Sequence, residues 1–178
     1  EVHAYRDEEK RAAAESGAVR GTALNSSRRV VWMKGGVGVT HTVPGPSGPR
    51  DLILRTSHGG TSGSVWDSSN VLGALLAPLL QQPDQMVLEM GSGTGFMAMM
   101  LASAAAKGTR VIATDVQDQM RDLKYNVSRN QLRHAVSCQC WEWSLPPPPQ
   151  LEWRKITLCV AADVVYYSES AEQEAALA

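Results

Sequence analysis

The chain contains 178 residues, of which 43% are hydrophobic, and it carries a formal net charge of −1 at pH 7. This length predicts one main domain with enough apolar material for a core. A net charge so close to zero disfavours general attraction to nucleic acid or to an anionic membrane.

Signals for targeting are weak along the whole chain. No apolar run approaches the roughly 18 residues of a membrane span. Because residues 1–17 are charged and alanine-rich, we expect no signal peptide. The three cysteines are odd in number, which favours a reducing compartment. We therefore expect a protein without membrane or nucleic-acid partners in the cytoplasm, with the nucleus as an alternative.

The N-terminal part of the chain predicts a small β-structure followed by a helix. Residues 1–27 are polar and small, and we expect them to be poorly structured. Residues 28–34 and 51–56 are predicted strands on either side of a Gly/Pro-rich stretch, so they form a β-hairpin with a long loop. Asp67 is expected to cap a helix with apolar residues at helical spacing, which Pro78 kinks or ends.

From residue 86 onward, strands alternate with helices. This alternation predicts an α/β fold with parallel strands, right-handed crossovers and helices on both faces of the sheet. In such sheets ligands bind at the carboxyl ends of the strands, where the topology switches direction. The predicted strands span residues 86–90, 110–114, 135–140 and 155–162, and the predicted helices span residues 95–106 and 117–130.

The first of these strands runs into a glycine-rich segment, EMGSGTG, at residues 89–95. A strand, a glycine turn and a helix N-terminus make a pocket for a nucleotide-like ligand, because the backbone approaches closely and offers free N–H groups. The dinucleotide fingerprint G-x-G-x-x-G needs a glycine at position 96, which is Phe96. The pattern G-x-G-x-G with Glu89 two places before it is instead typical of enzymes that bind S-adenosylmethionine.

Two carboxylates lie near the ends of consecutive predicted strands. Asp115 has the position from which a carboxylate accepts hydrogen bonds from both hydroxyls of a ribose; alternatively, it is an exposed aspartate that caps the following helix. Glu89 follows an apolar run, where an unpaired carboxylate is costly to bury. We interpret it as an electrostatic partner, direct or through water, of the amino group of a methionine moiety. The alternative is an exposed glutamate at the edge of the sheet.

Five motifs follow one another in register between residues 65 and 166. They are Val65-Trp66-Asp67, the segment at residues 89–95, Thr114-Asp115, Trp141-Glu142-Trp143 and Asp163-Val164-Val165-Tyr166. Their order and spacing resemble the seven-strand protein-lysine methyltransferases of methyltransferase family 16, of the family 21 type. The resemblance implies a Rossmann-like seven-strand sheet, S-adenosylmethionine as cofactor, and methyl transfer to a lysine side chain of a protein such as a chaperone or translation factor.

The resemblance also assigns roles residue by residue. Asp163 and Tyr166 match the motif associated with the substrate amine and its positioning, so they are the expected catalytic residues. Trp143 fits the position beside the adenine better than Trp141, and both stay candidates. The expected cofactor contacts are Trp66 at the methionine end, Glu89, the loop residues Gly91, Ser92, Gly93 and Gly95, Asp115 at the ribose, Trp143 and Ala162.

The same resemblance bears on domain organisation. It implies a methyltransferase domain over residues 28–178, after the N-terminal segment 1–27, and a family sheet that continues for several strands beyond Tyr166. We therefore expect the C-terminal strands to be missing from this chain. In this form it is expected to be inactive and to aggregate through the unprotected edge of strand 155–162. The full-length protein is expected to be a monomer.

The remaining candidate residues give weaker evidence of a functional role. His134, Cys138 and Cys140 suggest a metal site on one strand, but no partner set with zinc-like spacing is evident, so we expect no metal. Asn126 and Asn130 match recurring helix asparagines of the family, which we interpret as structural.

Other functions stay open at this point. A dinucleotide-dependent oxidoreductase is disfavoured by Phe96 and by the absence of an evident hydride-transfer constellation. A catalytically silent binding or scaffold protein would use the same fold. Within the methyltransferases, a histidine or a small molecule is an alternative acceptor.

Overall fold

The computed structural model of the chain describes residues 29–33, 36–45, 47–56 and 63–165. The predicted N-terminal segment 1–27 and Tyr166 lie outside the described residues. The elements in chain order are β1 (Arg29–Met33), β2 (Gly36–Val43), β3 (Arg50–Arg55), α1 (Asp67–Leu76), a 3-10 helix (Ala77–Gln81), β4 (Met86–Met90), α2 (Phe96–Ala104), β5 (Arg110–Asp115), a 3-10 helix (Gln117–Gln119), α3 (Met120–Arg129), β6 (Val136–Cys140), a 3-10 helix (Trp153–Lys155) and β7 (Leu158–Ala161).

The second half of the chain forms a parallel sheet with the strand order β6-β5-β4-β7. All three strand pairs are parallel, as the alternation of strands and helices predicts. β4 is the first strand of this sheet, and the chain first builds outward from it on one side with β5 and β6 and then crosses to its other side with β7. This reversal is the topological switch point at which α/β sheets bind ligands. The α/β fold class is therefore confirmed.

The N-terminal β-structure is a three-stranded antiparallel sheet with the order β1-β2-β3. The predicted hairpin with a long loop is wrong, because the expected loop contains β2, which pairs with both neighbours. Glycines at positions 36 and 38 gave this segment the composition of a turn. Val39, Thr40, His41 and Val43 are nonetheless buried, so the strand is covered on both of its faces at these positions.

Most predicted boundaries hold to within a few residues, and three differ for local reasons. Trp66, not Asp67, is the N-cap of α1, and its side chain makes no capping hydrogen bond. The helix predicted over 95–106 is shorter because Gly95 precedes it with φ +78° and Ala105 is extended. The strand predicted over 155–162 begins at Leu158, after a 3-10 turn. Pro78 lies in the 3-10 segment that follows α1, so it marks the end of that helix as expected.

Helix α2 fills the main core. It packs against β3 and β5, and seven of its nine residues are buried, which is the pattern of a helix enclosed on most sides. Leu52 and Leu54 of β3 are fully buried in the same cluster. Helix α1 approaches it closely at Gly73, where an added Cβ would lie 2.9 Å from the sulfur of Met100.

Two asparagines, Asn126 in α3 and Asn130 at its C-cap, bind the outer edge of β3. Asn126 accepts a hydrogen bond from the Arg55 N–H (2.8 Å) and donates to the Arg55 carbonyl (3.1 Å) and to the Thr94 carbonyl (2.9 Å). One helical turn later, Asn130 makes the same pair of bonds with Ile53, both at 2.8 Å. The two amides thus take the place of a neighbouring strand along this edge. Their interpretation as structural residues agrees with this geometry.

We predict that Asn126→Ala lowers the free energy of unfolding by about 2–4 kcal/mol, because three hydrogen bonds are lost and buried backbone groups are left without partners. Denaturant titration followed by circular dichroism measures this change. Ser128→Ala, on the same helix, is the matched control and should change stability by less than about 0.5 kcal/mol. Equal stability of the two variants would contradict the structural role.

Candidate functional site

Glu89, the glycine loop, Asp115 and Asp163 lie at the carboxyl ends of β4, β5 and β7. The parallel register places Glu89 of β4 opposite Ala113 of β5 on one side and Val160 of β7 on the other. The glycine loop follows β4 directly, and Asp115 ends β5. Asp163 follows the end of β7. Residues that are far apart in sequence therefore meet at the switch point of the sheet.

The loop of residues 91–95 needs glycine for two different reasons. Gly91, Gly93 and Gly95 all have positive φ, at 67°, 52° and 78°, a region that side chains with a Cβ rarely adopt. At Gly95 an added Cβ would also lie 2.5 Å from the Leu123 side chain of α3. The third glycine therefore permits α3 to pack against the start of α2. Its predicted contact with a cofactor stays a prediction.

The loop N–H groups are less available than the sequence predicts. The Ser92 N–H donates to the Thr114 carbonyl (2.9 Å), and the Gly95 N–H donates to the Ser92 carbonyl (2.7 Å). The Gly93 N–H donates to the Asp115 carboxylate (2.7 Å). The expected row of free N–H groups is thus wrong for these three residues. Their bonds give the loop a fixed shape, so that it forms a preformed cradle.

Asp115 holds that cradle through its carboxylate. Its Oδ2 accepts the Gly93 N–H, and its Oδ1 accepts the Val116 N–H at 2.8 Å. Val116 is the N-cap of the following 3-10 helix, which has no side-chain cap, so the alternative of a helix-capping aspartate is wrong. Burial raises the pKa of Asp115, and the two N–H groups partly offset this rise. An ionised carboxylate has about four acceptor positions, so a diol can bind at the remaining ones.

Glu89 is a buried acid at the base of the site. Its side chain is 3% exposed, so the alternative of an exposed edge glutamate is wrong. Burial raises its pKa to about 8, the nearby Ser92 hydroxyl and Ala98 N–H offset part of the rise, and the Asp115 carboxylate adds to it. Within the described part of the chain, Glu89 Oε2 and Ser92 Oγ are buried without a well-formed hydrogen bond. Unsatisfied buried polar atoms are costly, and a polar ligand group would satisfy them.

The structure separates the two candidate tryptophans. Trp141 is 9% exposed, its indole N–H donates to the Leu145 carbonyl (3.1 Å), and its ring meets Trp153 edge to face at 5.6 Å. Trp143 is half-buried, and its ring lies beside the glycine loop, 3.3 Å from the position of an added Cβ on Gly91. Trp141 is therefore a core residue of the sheet's second face, and Trp143 is the tryptophan at the site.

The segment after β7 closes the other side of the site. Asp163 has a φ of 53°, and one of its carboxylate oxygens accepts a hydrogen bond from the Ser68 hydroxyl. Val164 packs onto the loop, 2.8 Å from an added Cβ on Gly91. Trp66, which is 45% exposed, begins the same helix as Ser68. The half-buried Ala162 packs against the main core.

Ser68 and Val164 also belong to the site, although the sequence did not single them out. Ser68 directly follows the Val-Trp-Asp motif, and Val164 lies inside the Asp-x-x-Tyr motif, so position within a motif was the available signal. Neither contact is local, because Ser68 and Asp163 are 95 residues apart. The predicted catalytic Tyr166 lies outside the described residues.

The described part of the chain offers neither a cluster of metal ligands nor a membrane-spanning helix. Among the described residues, no group of three or more His, Cys, Asp or Glu side chains is placed to hold a metal ion. Cys138 on β6 and Cys159 on β7 lie on strands that are not neighbours. In the same part of the chain, no helix has the length and apolar character to cross a membrane.

The comparisons with known proteins indicate the same class of enzyme as the sequence motifs. The chain is 33% identical over 117 residues to the mouse protein-lysine methyltransferase METTL21E, covering 57% of this chain and 44% of the relative. It is 29% identical over 123 residues to the Schizosaccharomyces pombe protein-lysine N-methyltransferase rrg1, covering 64% and 40%. The chain thus spans less than half the length of these curated relatives.

A solved structure and a family model complete the comparison. A Trypanosoma brucei PRMT1 enzyme-prozyme complex with AdoHcy matches with a TM-score of 0.43 and 21% identity, over 53% of this chain and 27% of that one. The family model described as lysine methyltransferase matches residues 49–177, which include β4 to β7 and the whole site. This chain therefore belongs to the lysine methyltransferase family.

Proposed function

We propose that this protein transfers a methyl group from S-adenosylmethionine to a lysine side chain of a protein. The observation that carries the proposal is the preformed cradle of residues 91–95, held by Asp115 above the buried Glu89 at the switch point of the sheet. Membership of the lysine methyltransferase family supports the choice of acceptor. The acceptor protein is expected to be a chaperone or a translation factor, met by a monomeric enzyme in the cytoplasm or nucleus.

The residues present fit S-adenosylmethionine. Asp115 would hold the two ribose hydroxyls on its remaining acceptor positions, and Trp143 would contact the adenine. Glu89 would face the amino group of the methionine moiety, with Trp66 nearby. When bound, the cofactor supplies a methyl group that its sulfonium already makes electrophilic, so the reaction itself needs no metal.

The remaining task of the protein is to present a neutral amine in line with the methyl group. Lysine is charged at pH 7, so the site must favour its neutral form by excluding water. Asp163 would align the amine or receive its proton through water, and Tyr166 would shape the slot through which the side chain enters. The contact of the neighbouring Val164 with Gly91 of the glycine loop supports this role.

The raised pKa of Glu89 links cofactor binding to the loss of a proton from its carboxyl group. Its raised pKa of about 8 means that the free protein holds this carboxyl mainly neutral near pH 7. A cationic amino group nearby favours the ionised form, so binding would release a proton from Glu89. The ionised carboxylate of Glu89 would then balance the positive charge of the ligand's amino group inside the protein.

We predict that Asp115→Ala weakens binding of S-adenosylhomocysteine about 10- to 100-fold, the range for losing hydrogen bonds to a charged acceptor. Calorimetric titration measures the affinity, and Asp118→Ala, an exposed aspartate three residues later, is the matched control. A 2′-deoxy analogue separates ribose contact from loosening of the loop. The wild type should bind this analogue more weakly than S-adenosylhomocysteine, whereas the variant should bind the two ligands equally well. Unchanged affinity in Asp115→Ala would contradict the ribose role.

The burial of Glu89 predicts a specific pH dependence of stability. The pKa of Glu89 is about 8 in the folded state against 4.5 for the unfolded group. Its contribution to the free energy of unfolding is therefore full below about pH 4.5 and is lost as pH rises to about 8. Glu89→Gln should therefore melt several degrees above the wild type at pH 8 and differ little near pH 4.5. Thermal melts measure this, with the exposed Glu142→Gln as control. A difference independent of pH would contradict the buried neutral acid.

We predict that Asp163→Ala abolishes methyl transfer and leaves the affinity for S-adenosylhomocysteine nearly unchanged, because a positioning group acts mainly on turnover. The assay measures transfer of labelled methyl groups from S-adenosylmethionine to lysate proteins, with amino-acid analysis of the product. Methyl-lysine is the expected product, and methyl-histidine or a labelled small molecule would contradict the acceptor. Cofactor binding without any transfer by the wild type would instead indicate a scaffold protein.

A further inference from the structure

Asp163 stands in an unusual backbone conformation. It is one of three non-glycine residues with positive φ in the described part of the chain, and such conformations persist only where surrounding contacts hold them. Asp163 is exposed at the end of the site. Some contact must therefore fix it, because an exposed residue after a strand end has many other conformations available.

The contact comes from the start of α1. Ser68 is the second residue of this ten-residue helix, and its hydroxyl donates to Oδ2 of Asp163. No other hydrogen bond or ion pair of Asp163 occurs within the described residues, so this bond is its one polar tether there. The partly positive N-terminal end of a helix also favours a carboxylate. Ser68 thus occupies one carboxylate oxygen and leaves the other for a substrate.

The neighbouring Val164 fixes the same segment to the cofactor loop. Its side chain packs at Gly91, where even a single added carbon would collide. Asp163 is thereby held between two supports, the α1 N-terminus through Ser68 and the glycine loop through Val164. Movement of the carboxylate relative to a bound cofactor is restricted only while both contacts persist.

We propose that Ser68 is a positioning residue for methyl transfer, which sets the Asp163 carboxylate relative to the acceptor amine. The inference rests on the proposed function and extends it to a residue outside the motifs. In the free protein the bond is exposed to solvent, so it fixes the Asp163 segment locally and contributes little to the free energy of unfolding. When a protein substrate covers it, exclusion of water strengthens it. Its loss should therefore affect the transfer rate more than the stability of the free protein.

Ser68→Ala should lower the rate of label transfer from saturating S-adenosylmethionine to lysate proteins about tenfold, with an unchanged Kd for S-adenosylhomocysteine. Ser68→Thr keeps the hydroxyl and should restore most of the rate. Ser69→Ala makes the same change one position along the helix and is the matched control.

A second readout tests the contact without any catalysis. In amide NMR spectra of the whole chain, Ser68→Ala should shift the Asp163 signal, and Ser69→Ala should not. A shifted signal with an unchanged rate, or equal behaviour of the two alanine variants, overturns the proposal. If the wild type transfers no label while the Asp163 signal still shifts, the proposed function fails, and the catalytic part of the role of Ser68 fails with it.

Discussion

The site depends on one hydrogen bond, from the Gly93 N–H to the Asp115 carboxylate (2.7 Å). It joins the loop after β4 to the end of β5, so that two strand ends form one rigid edge of the sheet. Because the acceptor is charged and mostly shielded from water, the bond is among the stronger kinds in proteins. It fixes the position of the Asp115 carboxylate, and together with the bonds of the Ser92 and Gly95 N–H groups it sets the shape of the loop.

The rest of the fold keeps this edge in place. Helix α2 begins at the end of the glycine loop and is enclosed by β3 and β5, so the loop has little freedom at its C-terminal end. Asn126 links the Thr94 carbonyl of the loop to β3, and therefore to the antiparallel sheet. The N-terminal sheet thus contributes to the site without supplying a residue to it. The stability of the core and the shape of the cradle are coupled through a few buried amides.

The sequence predicts what is local or periodic and misses what depends on distant partners. The strands β4 and β5 and the glycine loop follow from apolar runs and turn residues within a few positions. β2 was missed because alternate glycines hide its period, and its pairing with β1 and β3 is a tertiary effect. The burial of Glu89 could be argued from its apolar neighbours. The bonds of the Ser92 and Gly93 N–H groups and the tether from Ser68 could not, because their acceptors lie on other elements.

The central claim is that S-adenosylmethionine binds at the carboxyl ends of β4 and β5. Titration of the isotope-labelled chain with S-adenosylhomocysteine, followed by amide NMR, tests it most directly. We expect saturable changes with one ligand per chain, largest at Gly91, Gly93 and Val116 and small at the opposite ends of the strands, near Met86 and Arg110. Saturable changes confined to those opposite ends, or no binding at millimolar ligand, would contradict it.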